Sequence, residues 1–293
     1  MKNKLSLLSI PYVIWMALFV VVPILIMVAY AFSTQDSGAT LENFSQMGTY
    51  ASVFLRSFRL ALVATLICLL IGYPVSYWIA REGAAFQRAA MALIMLPMWM
   101  NFLLRTYSWM SILENNGLLN QFFRSIGLIG LYNQIAVQFA ADPAQYVPIT
   151  GFQMTGTSGA VVLGMVYNYL PFMILPIYSV IVKLDGSLIE AARDLGADSA
   201  SVFRKVILPL SLPGVLSGVT MVFVPSVSTF AISRLLGGGT QMMLGDLIEQ
   251  QFLGGAYNPH LGAAISMVMM VIVVVCMVVM NHFGEGEEQA VLL

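Results

Sequence analysis

Charge is missing from long stretches of this chain, and that absence constrains the fold more than any other feature. No Asp, Glu, Lys or Arg occurs between Lys4 and Asp36, and Arg59 and Arg81 enclose 21 uncharged residues. At about 1.5 Å of helical rise each, such a stretch reaches about 31 Å, the thickness of a bilayer's hydrocarbon core. Charged side chains are costly there, so the gaps between charges locate the membrane spans. The chain is 59% hydrophobic and 9% charged, against roughly 45–50% and 25% for a soluble domain. Too few charges remain to cover a water-facing surface, and a disordered chain has the opposite bias. The fold class expected is all-α, a polytopic membrane protein.

Six spans are predicted, at about 10–32, 57–80, 90–112, 160–182, 212–233 and 261–282, in a single transmembrane domain covering 1–293. Arg105 falls within the third span or at its outer edge. Lys2 and Lys4 ahead of an apolar stretch ending Ala29–Tyr30–Ala31 resemble a signal peptide. That apolar region is about twice the length of a signal h-region, which favours a retained first span. With a cytoplasmic N-terminus, the inside segments hold Lys2, Lys4, Arg81, Arg88, Lys183, Arg193, Arg204 and Lys205. The outside holds Arg56, Arg59, Arg124 and Arg234, which satisfies the positive-inside tendency. The acidic tail Glu285, Glu287 and Glu288 then lies inside as well. A net charge of −1 leaves no electrostatic footprint for nucleic acid. Cys68 and Cys276 sit in apolar runs and suggest neither a disulfide framework nor a metal cluster. His260 and His282 flank the last span at opposite ends, so no paired-His metal site is expected.

The densest charge lies in the inside loop 183–211. Ser187 and Glu190 have the spacing of a capping box, which predicts a helix start at Ser187. Ala191 and Ala192 favour helix and keep its surface smooth, and Gly196 stands where a left-handed C-terminal residue belongs. Asp198 or Ser199 can cap a second short helix, ended by Leu208–Pro209. The expectation is two short helices at roughly a right angle on the membrane surface.

The string Glu190-Ala191-Ala192, three residues, Gly196, then Leu208-Pro209 resembles the "EAA" loop of bacterial ABC importer permeases, with Val206 where Ile is more usual. The resemblance implies the type I importer permease fold, with this loop docking on a separate ATPase. Glu190 would hold the loop's shape, Gly196 would permit a close turn, and Leu208–Pro209 would pass motion into the fifth span during alternating access. This chain has no Gly-x4-Gly-Lys-Ser/Thr phosphate loop. ATP and Mg would therefore be bound by the ATPase, and no cofactor or metal is expected in this chain. The implied partners are a homologous second permease subunit, two ATPase subunits and an extracytoplasmic solute-binding protein received by loops 113–158 and 234–260.

Leu96–Tyr107, Asn116–Asn120, Tyr169–Tyr178, Leu235–Gly238 and Gly262–Ala264 resemble segments of spermidine/putrescine permeases. A flexible polyamine needs carboxylates for its amines and aromatic faces for its methylenes. Trp99, Tyr167, Tyr169 and Phe230 are aromatic candidates for the path. Asp246 and Glu249, three apart on one helical face, are acidic candidates. Interface or core packing for the aromatics, and solvated surface for the carboxylates, are readings that stand beside these. Arg105 would repel a polyamine if it lined the path and would suit an anion. Its structural readings are snorkelling or a partner-subunit carboxylate. Permeases for sulfate, iron(III) or phosphonates share parts of these segments. An ion-coupled secondary transporter would call for mid-membrane carboxylates, and an intramembrane enzyme for a Ser–His, His-Glu-x-x-His or paired-Asp set. The predicted spans carry neither.

Overall fold

The computed structural model describes residues 11–34, 38–139 and 146–291, with side chains through 280. Lys2, Lys4, Asp36 and the side chains of His282, Glu285, Glu287 and Glu288 lie outside the described residues. Among the described residues there is no strand; helices account for nearly everything that crosses or borders the membrane. Among the described residues five helices are long and apolar enough to span, and counting one bent pair as a single span makes six.

Three helices form the centre: α1 is peripheral (Pro11–Ala31), while α2 (Ala51–Arg81), α7 (Ser158–Ile181) and α10 (Leu208–Ser228) pack on one another. Between α2 and α7, which are labelled in chain order, lie α3 (Ala84–Met95), α4 (Phe102–Leu113), α5 (Leu118–Ser125) and α6 (Leu128–Gln138). The central core contains Leu60, Ala64 and Cys68 of α2, Met165, Met173 and Ile177 of α7, and Val222 of α10. Its tightness comes from small residues. Gly214 and Gly218, one turn apart on α10, face α7. A Cβ at Gly214 would stand 2.8 Å from the Pro176 carbonyl oxygen, and one at Gly218 the same distance from Met173 Sδ. This is the small-xxx-small device by which membrane helices bring their backbones together. The last helix, α13 (Pro259–Val291), packs against α10 and carries α1 on its flank, with Ala263 and Ala264 against Ala31.

Three expectations need correction. The third span is not one helix over 90–112. α3 passes through a 3-10 turn at Leu96–Trp99, and the chain bends by 90° before α4. Pro97 cannot continue the hydrogen-bond ladder, and Asn101 restarts it: its Oδ1 accepts from the N–H groups of Leu103 (2.8 Å) and Leu104 (3.4 Å). The fifth span ends at Ser228, not near 233. Thr229 is extended, and a separate short helix, α11 (Ala231–Leu236), follows.

The third correction concerns the inside loop. Helix α8 (Gly186–Asp194) is capped by Asp185, whose Oδ1 accepts from Ser187 N–H at 2.9 Å, so Ser187 and Glu190 form no capping box. An aspartate one residue before a glycine competes well for the cap, and it moves the start upstream. The second segment, α9 (Ser199–Val202), does not end at Leu208–Pro209. It continues through a π turn, Phe203–Ile207, directly into α10. The wide turn lets Leu208 N–H bond back to Phe203 across five residues. Pro209 then falls in the first turn of the resumed helix, where its missing N–H is harmless.

Candidate functional site

Two polar regions stand out, one at each side of the bundle. The inside region is α8 and its flanks. Gly196 adopts φ +83°, and the chain closes with Gly196 N–H to Arg193 O (2.8 Å) and Ala197 N–H to Ala192 O (3.0 Å). This is a Schellman close, and only a left-handed residue makes it without strain. Asp198 caps the next helix through Ser201 N–H at 3.3 Å. The Ser187 backbone N–H holds the Asp185 carboxyl below the usual carboxylate range, and Ser201 does the same for Asp198. No residue of α8 is buried. Leu188 and Leu195 are 48% and 89% exposed and, with Ala191, fall at i, i+3 and i+7, on one face. Glu190 and Ala191 are exposed and Ala192 half-buried. Leu208 and Pro209 belong to the helix that leads into the membrane.

The outer region is built around α11, the loop Gly237–Thr240 and α12 (Leu244–Leu253). Its holds are long-range. Leu244 N–H donates to Ser57 Oγ (2.8 Å), Arg56 Nη1 to Thr240 O (3.1 Å), and Ser158 Oγ to Gln241 Oε1 (2.8 Å). Asp246 and Glu249 line one cavity of about 190 Å³ with Ser233, Arg234, Met242 and Gln250. Neither carboxylate is free. Asp246 is 6% exposed and accepts from Met243 N–H at 3.0 Å, capping its own helix. Burial pushes its pKa up, against the lowering pull of Ser233 and Met243 N–H. Glu249 takes both oxygens to Arg234 Nη1, at 2.8 and 2.7 Å.

The aromatic candidates do not join that cavity's lining. Trp99 is 80% exposed at the bend of the third span, and Phe230 is exposed at the break of the fifth. Tyr167 packs edge-on to Trp109, with ring centroids 5.4 Å apart. Tyr169 packs against the central core. Arg105, on α4, is 8% exposed. Its Nε and Nη1 are buried with no hydrogen-bond partner among the described residues. His260 stacks on Tyr30 at 5.1 Å and is part of the outer end of α13. Among the described residues, no three His, Cys, Asp or Glu side chains are grouped to hold a metal ion.

Sequence reading missed Arg234 as the partner of Glu249, because the two are 15 residues apart on different helices. It also missed Phe203, whose ring meets Tyr73 and Tyr77 of α2. The one available signal was an aromatic residue in an otherwise charged loop.

Comparison with known proteins supplies the family. Residues 72–285 match the binding-protein-dependent transport system inner membrane component family. The spermidine/putrescine transport system permease protein PotB of Escherichia coli is 35% identical over 266 residues, 88% of this chain and 90% of that protein. PotB of Haemophilus influenzae is 34% identical over 280 residues, 92% and 91% of the two chains. In fold, the chain superposes on the crystal structure of a bacterial ABC transporter involved in alginate import with a TM-score of 0.73. The sequences are 16% identical, and 97% and 96% of the two chains are covered. The chain belongs to the binding-protein-dependent transport system inner membrane components, the membrane-spanning permease subunits of ABC importers.

Proposed function

We propose that this permease subunit imports polyamines, receiving them from a solute-binding protein at the outer face and releasing them into the cytoplasm by alternating access. α8 docks on a separate ATPase subunit. The observation that carries the docking role is the exposed face of Leu188, Ala191 and Leu195 on a helix fixed at both ends. An apolar stripe in the loop richest in charge has no reason to face water alone. The substrate assignment rests on similarity to the PotB permeases. The complex contains a second, homologous permease and two ATPase subunits that bind ATP and Mg, and both termini of this chain are cytoplasmic. Chemistry at the ATP is theirs; this chain moves solute. Asp246, buried in the first turn of α12, and Glu249, paired with Arg234, place carboxylates around the outer cavity, and Trp99, Tyr167, Tyr169 and Phe230 are the aromatic candidates for the path.

Arg105 favours a second reading, an importer of anions. A guanidinium whose buried Nε and Nη1 have no hydrogen-bond partner among the described residues costs several kcal/mol, and an anionic solute would relieve that cost. The experiment that separates the two is ATP hydrolysis by the complete transporter in liposomes. Spermidine, putrescine, sulfate and phosphonate are each supplied with the binding protein. Stimulation by a polyamine alone supports the first reading. Stimulation by an anion discards it and moves Arg105 into the path.

A further inference from the structure

We propose that Phe203 is the positioning residue that makes the second span move with the inside loop. This rests on the reading of α8 as the ATPase-docking helix. The principal neighbours of α8 are α9 and the π turn, not the central spans. A push on α8 reaches the bundle at its near end through the four-residue link 182–185 to α7 and at its far end through residues 199–207, and from the far end it has two routes. One is along the chain, since α9, the π turn and α10 are one continuous helical path. The other is lateral and passes through Phe203.

Phe203 opens the π turn, and its ring meets two tyrosines of α2 edge-on. The centroid of Tyr73 lies 5.8 Å away at an interplanar angle of 89°, and that of Tyr77 5.6 Å away at 81°. Tyr73 and Tyr77 are four residues apart and so share a helix face. Two turns further along the same path, Ser211 Oγ and Tyr73 Oη meet at 2.8 Å. The second span is thus gripped twice by the helix that leads out of the loop, once by a ring and once by a hydroxyl. Edge-to-face contacts fix relative orientation as well as burying area, so the grip resists sliding of one helix along the other. Beside it lies a cavity of about 130 Å³, lined by Tyr77, Arg81, Ile207 and Ile189 of α8. Packed interiors hand on displacements because they contain few voids. Arg81 Nη1 donates to Tyr77 Oη at 2.7 Å, so the ring that Phe203 meets is itself held in place. π turns are local faults in the helical ladder that occur often at functional positions, and here the fault presents the gripping side chain.

Without the ring, the covalent route would still move the fifth span, but the second would lag. ATP would be hydrolysed without a matching import of solute. The test uses the full complex in proteoliposomes and measures ATP hydrolysed per radiolabelled spermidine imported. If wild type does not import spermidine, the polyamine reading falls and the ratio is read with whichever solute stimulates hydrolysis. Phe203→Leu keeps an apolar side chain of similar bulk but removes the ring edges, so it guards against misfolding by Phe203→Ala. The expected result for Phe203→Leu is a ratio raised about tenfold with the ATPase subunits still copurifying, and for Phe203→Tyr a ratio near wild type. An unchanged ratio in Phe203→Leu overturns the proposal. So does a parallel loss of hydrolysis and import, which marks a packing residue only. Gly196→Asp is purified alongside. If that variant keeps its ATPase subunits, the docking reading fails, while the Phe203 ratio is still decided on its own.

Discussion

The inside loop and the outer cleft are both water-facing, yet they are held in opposite ways. α8 is fixed by its own neighbours in sequence. Asp185 caps it by accepting from the Ser187 N–H, and Gly196 and Ala197 close it with their N–H groups on the carbonyls of Arg193 and Ala192. The outer cleft is fixed by residues far away in sequence, with Ser57 on Leu244, Arg56 on Thr240 and Arg234 on Glu249. A locally held helix keeps its shape wherever it is pushed, as a docking arm must. A cleft pinned to several spans changes shape when any of them moves, as an entry site must in an alternating-access cycle. If α8 docks the ATPase and the cleft receives solute, as proposed, the contrast places rigidity at the drive end and responsiveness at the solute end.

The largest effect that could break this comparison is at Gly196. Asp there meets no neighbouring atom and, although it tolerates φ +83° better than most L-residues, it takes that left-handed conformation less readily than Gly. It also adds a charge beside Leu195. Import by Gly196→Asp is expected to be abolished with membrane insertion intact, checked by uptake and by protein level in isolated membranes. Normal uptake would remove the docking role from α8.

A smaller effect is expected at the cleft. Asp246→Asn with Glu249→Gln keeps the shapes and the Met243 cap acceptor while deleting both charges. The KM for spermidine should rise about tenfold, equivalent to about 1.4 kcal/mol, with subunit assembly unchanged on gel filtration. Unaltered uptake kinetics would make these carboxylates purely architectural.

Acid should separate the two regions as well. Asp185 and Asp198 are held below the usual carboxylate range by hydrogen bonds. Their contribution to stability is full above the unfolded-state value and is lost only as pH falls through the lower folded value. Asp246 is raised by burial, so its ionised form is the disfavoured one in the fold. Protonation, beginning above the usual range, stabilises the folded outer helix relative to the unfolded chain. Isotope-edited infrared titration should therefore find Asp246 protonating first and Asp185 and Asp198 last. The reverse order would contradict the burial assigned to Asp246.

The smallest effect concerns Arg105. Under the polyamine reading, Arg105→Met removes a buried charge whose Nε and Nη1 have no hydrogen-bond partner among the described residues, and spermidine uptake should stay within about threefold of wild type, measured as initial rate. A far larger loss would mean the guanidinium acts in transport, either on solute or on a neighbouring subunit.

What the sequence disclosed follows the same division. The spans read from charge gaps at 10–32, 57–80, 160–182 and 261–282 each fall on one long apolar helix, because hydrocarbon excludes charge at every position, whatever the tertiary contacts. Gly196 was readable because a left-handed close is set by a few adjacent residues. The break at Leu96–Asn101 had its signals in Pro97 and Asn101, but a span-length window averages over them. The start of α8 was placed two residues late, since Asp185 and Ser187 both fit a cap and only geometry chooses between them. The fate of Pro209 depended on a π turn that no pattern announces. The Arg234–Glu249 pair and the Phe203 grip were illegible for a different reason: each joins helices whose packing is decided by the whole bundle.

Hydrogen exchange on the assembled transporter tests the division most directly, with the ATPase subunits and the solute-binding protein added in separate steps. The ATPase should protect the amides of 186–197 and leave 234–253 unchanged, and the binding protein should do the opposite. Exchange in 186–197 that is indifferent to the ATPase, or protection of 234–253 by it, would contradict the assignment of drive and solute ends.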